Sequence, residues 1–396
     1  MSEAIVRVAA RGDGVTASGR HAALAAPGDL LTAEGAVVPG DRHHPPRCPH
    51  FPTCGGCQLQ HLLDADYAAF VAERVTHALA AQSLSAEIRA PVLSPPRSRR
   101  RARLGGLVQG RRVRLGFSER GSHRIVDLRD CAILHPALFA LVAPLRALVG
   151  RFGEVRRRVE VELVLADSGP AVLLEGVAWH GLEAADAFAA FGREHRLARL
   201  SVVEDGAPIT LWEPEPVTVT LGGVPVPLTH GAFLQATAEG EAALVAGVAE
   251  AVGDAASVAD LFAGLGTFAL PLARTARVRG VEAARDPLAA LGGAARHAGR
   301  SVETEHRDLY RRPLTAAELA HFDAVVLDPP RAGAQAQVAE LARSTVPLLA
   351  YVSCNPASFA RDAAVLTAAG WRIEWVQPVG QFLWSTHVEL VARFVR

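Results

Sequence analysis

Five cysteines fall into two settings that imply different chemistry. Cys48, Cys54 and Cys57 are spaced Cys-x5-Cys-x2-Cys, and Cys131 follows far downstream in Val126-Asp127-Leu128-Arg129-Asp130-Cys131. Four thiolates can hold a zinc ion or an iron–sulfur cluster, and the spacing leaves these two even. Disulfides are the poorer explanation in a cytoplasmic protein. His43, His44, His50 and His61 lie close by and read as bystanders. The fifth, Cys354, closes the apolar run Tyr351-Val352-Ser353-Cys354-Asn355-Pro356. A lone Cys is usually a small buried hydrophobe. At a strand end followed by Asn-Pro and a helix, beside a cofactor crevice, it reads as a nucleophile, since thiols attack well even when little ionised.

Two carboxylates accompany it. Asp328 ends a strand in Leu327-Asp328-Pro329-Pro330-Arg331, where open α/β sheets place their ligand crevice. Enzymes that methylate exocyclic amines follow such prolines with an aromatic residue that stacks on a base. Arg331 occupies that place and disfavours amine methylation. In Ser385-Thr386-His387-Val388-Glu389, strand alternation puts His387 and Glu389 on one face, and Glu389 can serve as a general base. A strand, a glycine turn and a helix start are written in Asp260-Leu261-Phe262-Ala263-Gly264-Leu265-Gly266-Thr267-Phe268. Glycines admit a ligand to the backbone, and Glu282, sixteen residues after Gly266, can take ribose hydroxyls. The third glycine of a dinucleotide fingerprint is replaced by Ala269. That tilts the reading from NAD or FAD toward S-adenosylmethionine.

These groups need elements to hold them. The overall class is α/β. After Gln235, short apolar strands at 257–262, 278–282, 322–328 and 348–353 alternate with helical stretches at 268–276, 287–297, 335–343 and 358–369. Such alternation predicts a doubly wound, Rossmann-like sheet. Residues 1–46 read as a short β unit punctuated by glycines, 47–225 as a central α+β domain, and 226–396 as the sheet domain. Helical spacing is expected from His61 to Gln82, and again at 138–149 and 182–196.

With 396 residues and half of them hydrophobic, the chain is large enough for two or three cores. Its 41 basic residues are all arginine, which excludes Schiff-base and P-loop lysine chemistry. They balance 41 acids, so a uniformly basic nucleic-acid coat is excluded. Locally the balance breaks. From Arg97 to Arg158 sixteen Arg face four acids, a net of +12, with Arg99, Arg100, Arg101 and Arg103 packed together. From Val159 to His230 three Arg face eleven acids, a net of −8. The basic segment suggests an anionic partner. No apolar run is long enough for a membrane helix and no signal peptide is visible. A cytoplasmic monomer is expected.

Over nearly its whole length the chain resembles the RNA 5-methyluridine (uracil-C5) methyltransferases. The resemblance rests on Cys48 to Cys57 with Gln58-Leu59-Gln60-His61, on Gly116-Phe117-Ser118 through Ser122-His123, and on Val126-Asp127 with Cys131. It rests also on Phe233-Leu234-Gln235, the Asp260–Phe268 loop, Asp328-Pro329-Pro330-Arg331, Ser353-Cys354-Asn355-Pro356 and His387-Val388-Glu389. It implies a class I fold with S-adenosylmethionine contacts from Gln235, Phe262, Thr267, Glu282, Asp308 and Asp328. It implies Cys354 as nucleophile, Glu389 as base and Asp328 at the uracil edge. It implies a [4Fe–4S] cluster on Cys48, Cys54, Cys57 and Cys131, and RNA against Arg99, Arg100, Arg101 and Arg103. The cluster motif points to the 23S ribosomal RNA branch rather than tRNA.

The sequence departs from the family at three places. The amino-terminal unit looks like a shortened RNA-binding barrel of the TRAM or OB type, too short to close five strands. Thr267 stands where Asn is common, and Gly380 to Ser385 lacks the Asp and Pro of many members. Two other readings compete. Cytosine-C5 methylation uses the same addition chemistry, but its RNA enzymes typically carry a second Cys after Pro-Pro, where Arg331 stands. A non-catalytic iron–sulfur RNA-binding protein is disfavoured by intact Cys354, Glu389 and Asp328.

Overall fold

The computed structural model describes residues 2–110 and 112–396. The chain divides into two compact units. The first comprises Met1–Tyr67, Pro95–Val217 and Phe382–Thr386, the second Ala68–Ser94, Thr218–Gln381 and His387–Arg396.

The first unit opens with β1 (Glu3–Val8), β2 (Gly14–Thr16), β3 (His21–Ala22), β4 (Leu30–Leu31) and β5 (Val37–Val38). They form an antiparallel sheet ordered β3-β2-β1-β4-β5. Here the structure corrects the expectation of a truncated unit, because all five strands of a small barrel are present. Economy in strand length makes this possible: three of the five have only two residues. Ile5, Ala22, Ala25 and Leu31 supply a small core. Buried Asp29 ties the loops, accepting from Ala26 N at 2.8 Å and Gly40 N at 2.9 Å and pairing with His43 at 2.7 Å.

Helix α1 (Asp64–Ala80) and the two-residue strands β6 (Glu87–Ile88) and β7 (Val92–Leu93) come next. From Ala68 to Ser94 the chain belongs to the second unit. It then returns to the first with β8 (Arg101–Gln109), β9 (Arg112–Gly116), α2 (Pro136–Phe139), α3 (Val142–Phe152), β10 (Arg158–Ala166), β11 (Gly169–Glu175), α4 (Leu182–Glu194), β12 (Arg199–Glu204) and β13 (Ala207–Trp212). The six strands are ordered β13-β12-β11-β10-β8-β9. Only β11 and β12 run parallel, joined by a crossover through α4. Strand β10 shows the period of two: Val159, Val161 and Leu163 are buried while Glu160 and Glu162 face outward.

The second unit adds the hairpin β14 (Thr218–Leu221) and β15 (Val224–Pro227), then α5 (Ala238–Val252), β16 (Ser257–Leu261), α6 (Ala269–Leu272), β17 (Arg277–Glu282), α7 (Arg285–His297), β18 (Val302–His306) and α8 (Ala316–Leu319). It finishes with β19 (Ala324–Leu327), α9 (Gln335–Arg343), β20 (Leu348–Ser353), α10 (Pro356–Ala368), β21 (Arg372–Gly380) and β22 (Glu389–Val395). The main sheet runs β18-β17-β16-β19-β20-β22-β21-β6, with β7 also on β21. Central strands such as β19, Ala-Val-Val-Leu, are buried throughout because helices cover both faces. The sheet is parallel except for β22, which lies antiparallel between β20 and β21. No helix among the described residues is long and apolar enough to cross a membrane.

Candidate active site

The crevice lies where β16, β19 and β20 end and β22 begins. The ladders fix this convergence. Leu261 pairs with Leu327, Leu327 with Tyr351, and Ser353 with Leu390. One residue beyond these pairs stand Asp328, Cys354 and Glu389, so adjacent strands deliver the three predicted groups to one edge. Asp328 N donates to Leu261 O at 3.3 Å, fixing the start of the Asp-Pro-Pro turn. Asn355 caps α10 by accepting from Ala357 N at 3.2 Å, and Pro356 supplies the first turn. Cys354 thus sits half-buried just before a helix cap.

Electrostatics bind the three groups into one system. Burial pushes Glu389 up to about 8, helped by Asp328 and opposed by hydrogen bonding to Gln381 and the charge of Arg331. Burial pushes Asp328 up to about 7. The Cys354 thiol is pushed up to about 11 by burial, then by Glu389 and Asp328, with Arg331 opposing. Arg331 is therefore the cation that favours both thiolate and carboxylate. Its Nη1 lies 3.4 Å from His387 Nδ1. Its carbonyl accepts from Asn355 Nδ2 and Ser358 Oγ, each at 3.1 Å, which fastens the Asp-Pro-Pro-Arg loop to the helix after Cys354. Asn355 and Ser358 had no individual role in the sequence; their signal was the cap position, which aims polar groups at neighbouring backbone.

The glycine loop after β16 is shaped to admit a ligand. Phe262 takes a left-handed φ of 65°. Gly264 has φ 54° with open space where a Cβ would stand. At Gly266, φ is 95° and a Cβ would run into Leu291. Glu282 accepts from Gly264 N at 3.1 Å and Ala284 N at 2.7 Å, so its carboxylate shapes this loop. The Phe262 ring stands 5.6 Å from that of Tyr310, whose hydroxyl donates to Gly333 O at 3.2 Å. Asp308 accepts from Tyr310 N at 3.0 Å and pairs with Arg311 at 3.4 Å. Thr267 is partly exposed in the same loop, and Gln235 is buried. One buried acid was not singled out. The carboxyl of Asp260 is fully buried, with the Ala269 backbone N–H as the donor that favours its charged form. Burial, then Asp328 and Glu282, hold its carboxyl far above the usual range.

The other four cysteines come together in the first unit. Cys48, Cys54, Cys57 and Cys131 line one pocket with Phe51, Gln60, Phe117, Leu128 and Ile133. All are free thiols. Gln60 Oε1 accepts from Cys48 N at 3.0 Å, and Gly56 N reaches Cys54 Sγ at 3.4 Å. Burial raises Cys54 to about 11 and Cys57 to about 12, and the neighbouring thiols add to the rise. Among the described residues no three or more Cys, His, Asp or Glu side chains are placed to hold a single metal ion.

Arg99 is drawn to this pocket. Its backbone pairs with the segment after Cys131, through Arg99 N to Ile133 O at 2.9 Å. Its guanidinium lies 5.4 Å from the rings of Phe117 and Phe382, and Nε donates to Arg101 O at 2.9 Å. Burial lowers its pKa while the charges of Cys131, Cys57 and Cys54 raise it. No carboxylate pairs with it among the described residues. The remaining arginines of the expected RNA segment differ. Arg103 pairs with Glu160 at 3.3 Å and Glu175 at 3.9 Å while staying largely exposed. Arg100 and Arg101 both have partners.

Fold and site together define a class I methyltransferase. Residues 301–393 match the family described as tRNA (Uracil-5-)-methyltransferase. An uncharacterized RNA methyltransferase of Zymomonas mobilis is 46% identical over 99% of each chain. A 23S rRNA (uracil(1939)-C(5))-methyltransferase of Edwardsiella ictaluri is 36% identical over 91% of this chain and 85% of its own. The Pyrococcus abyssi tRNA (uracil-54, C5)-methyltransferase, solved in complex with S-adenosyl-L-homocysteine, shares the fold with a TM-score of 0.75. Its identity is 23% over the full length of both chains. The chain belongs to the RNA (uracil-C5)-methyltransferase family.

Proposed function

We propose that this enzyme methylates C5 of one uridine in 23S ribosomal RNA through a covalent Cys354 adduct. The carrying observation is the convergence of Cys354, Glu389 and Asp328 on one sheet edge beside Arg331. Uracil C5 is a poor nucleophile until C6 is saturated. The Cys354 thiolate adds to C6, and the ring electrons move toward O4 as an enolate. C5 would then bond to the methyl carbon as the bond between that carbon and sulfur breaks, its electron pair passing to sulfur. Glu389 removes the C5 proton, the C5–C6 double bond re-forms, and the thiolate leaves. Asp328 holds the uracil edge, and the base must leave its stack to reach all three. S-adenosylmethionine supplies an electrophilic methyl group on a sulfonium. Gln235, Phe262, Thr267, Glu282, Asp308 and Asp328 would hold it around the glycine loop.

Cys48, Cys54, Cys57 and Cys131 would hold a [4Fe–4S] cluster. Their pocket fits such a group in donor chemistry. Four free thiols surround it, its wall is aromatic and aliphatic, and three of the thiols act electrostatically on the half-buried Arg99, which has no carboxylate partner among the described residues. A buried cation is costly unless a counter-charge is near, and cluster thiolates provide one. In this reading residues 1–46 and 47–225 serve RNA recognition and 226–396 the chemistry. The ribosomal substrate is favoured by the four-cysteine set and by the Edwardsiella relative. Mapping 5-methyluridine in total RNA from a deletion strain tests it. One uridine of 23S RNA should lose its methyl group; loss from tRNA alone would overturn the ribosomal reading.

A further inference from the structure

We propose that Gln381 is a positioning residue that links the cofactor side of the crevice to the general base. It follows β21 directly and is buried. Its Oε1 accepts from Ala236 N at 2.9 Å. A backbone N–H can only donate, so this bond fixes which way the amide points. Its Nε2 then donates to Gln235 Oε1 at 2.8 Å. The second hydrogen on Nε2 remains to be donated, and Gln381 stands two residues beyond the ladder partner of Glu389, whose ionised form it favours. One amide therefore holds a residue assigned to the cofactor and the backbone next to it, and stands beside the base.

The surrounding elements are built to receive this side chain. Val379 is the ladder partner of Glu389, so Gln381 leaves β21 two residues beyond the base. Helix α5 presents Gly240 to it. A Cβ there would stand 2.6 Å from Gln381 Cβ and 3.2 Å from its Oε1. Thr237 caps that helix by accepting from Gly240 N at 3.0 Å, and Ser94 Oγ lies 2.6 Å from Thr237 Oγ1. The slot is thus a fixed feature of the helix start.

The chemical consequence follows from donation. The titratable and charged groups around Glu389 are Asp328 after β19, Arg331 in the loop beyond it and Cys354 after β20, with His387 in the segment just before β22. Burial and Asp328 favour the protonated carboxyl, which cannot remove the C5 proton. A fixed N–H donor favours the carboxylate. Because the same amide holds Gln235, a cofactor seated against Gln235 would steady the donor just when the base is needed.

The proposal rests on Glu389 as base, and its test separates the two. The methylated protein–RNA adduct is quantified on denaturing gels against pH in wild type, Q381M, Q381E and E389Q. Q381E keeps an acceptor for Ala236 N but removes both donated hydrogens and adds a charge beside Glu389. Q381M removes the polar links while keeping the length. In both variants adduct formation should persist. Its breakdown should shift alkaline by about one pH unit, a tenfold slowing at neutral pH, with Q381E the more affected. The Kd for S-adenosylmethionine should rise in both. Unshifted profiles in soluble, adduct-forming variants would overturn the proposal and leave Gln381 a packing residue. If E389Q itself traps no adduct, the base assignment fails instead.

Discussion

Buried thiols occur in both units, and their neighbours assign them opposite work. In the second unit one thiol, Cys354, shares a crevice with two acids and one exposed cation. In the first, four thiols share a pocket with aromatic and aliphatic walls, and the half-buried Arg99 lies near enough to feel their charge. Burial raises the pKa of Cys354 in one and of Cys54, Cys57 and Cys131 in the other. The relief differs. Around Cys354 it must come during reaction, from Arg331 and from carboxyls that can take up protons, so the thiol stays protonated until needed. Around the four, on the proposed reading, it would come from a bound cation, because ligation expels the thiol protons outright. A cysteine's role is thus set by whether acids or other thiols surround it.

Exchanging the two roles by mutation should give the largest effects. Cys354→Ala should lower turnover by more than about a thousandfold, in line with losses on removing a nucleophile, while S-adenosylmethionine binding and iron content stay near wild type. Cys57→Ala should do the reverse. Anaerobically purified wild type should be brown with about four iron per chain, and the variant should lose that iron. Hydrogen exchange should then quicken in residues 95–217 before the main sheet. Turnover above a few per cent in Cys354→Ala, or zinc in place of iron, breaks the contrast.

A smaller effect separates the two regions by pH. Glu389 and Asp328 have folded-state pKa values of about 8 and about 7, above their ordinary values. The folded state therefore binds more protons than the unfolded one in the window from about 4.5 to about 8. Stability of the ligand-free protein should fall as pH rises through that window. Thermal melts at pH 5 and pH 8.5 should show the drop, and Glu389→Gln should reduce it. An equal drop in the variant would show that the crevice acids are not its source.

The smallest effect concerns the arginines. Arg103→Gln should flatten the log–log salt dependence of RNA binding by no more than about 0.7, because its ion pairs limit its phosphate contact. Arg99→Met should leave that slope unchanged and shed iron more quickly in air. A slope change for Arg99→Met with iron retained would place it on the RNA face.

Much of this site is legible in the sequence because strand ends carry it. The runs before Phe262, Asp328 and Cys354 are apolar, short and followed by glycine, proline or a cap, so their carboxyl ends can be read directly. Strand β18, Val-Glu-Thr-Glu-His, is polar at four of its five positions at the sheet edge and leaves no such trace. The direction of β22 also escapes reading, since an apolar strand looks the same from either end. The two-residue strands β3 to β7 are too short for periodicity. At Arg99 the local run of arginines suggested a surface, while pairing with the segment after Cys131 turns it toward the thiols. Gln381 lay in a segment defined by what it lacked, and only the bonds to Ala236 and Gln235 give it a part.

Strand β22 follows every other strand of its sheet in chain order, yet it lies inside the sheet between β20 and β21. Until it docks, β20 and β21 have no common partner and the sheet carries an open slot with two unsatisfied backbone edges. On the proposed roles, the nucleophile Cys354 directly follows β20, while its base Glu389 arrives only with the strand that fills the slot. Assembly of the proposed catalytic pair and completion of the sheet are therefore one event. A nascent chain holds a thiol without the means to release product until its fold is closed.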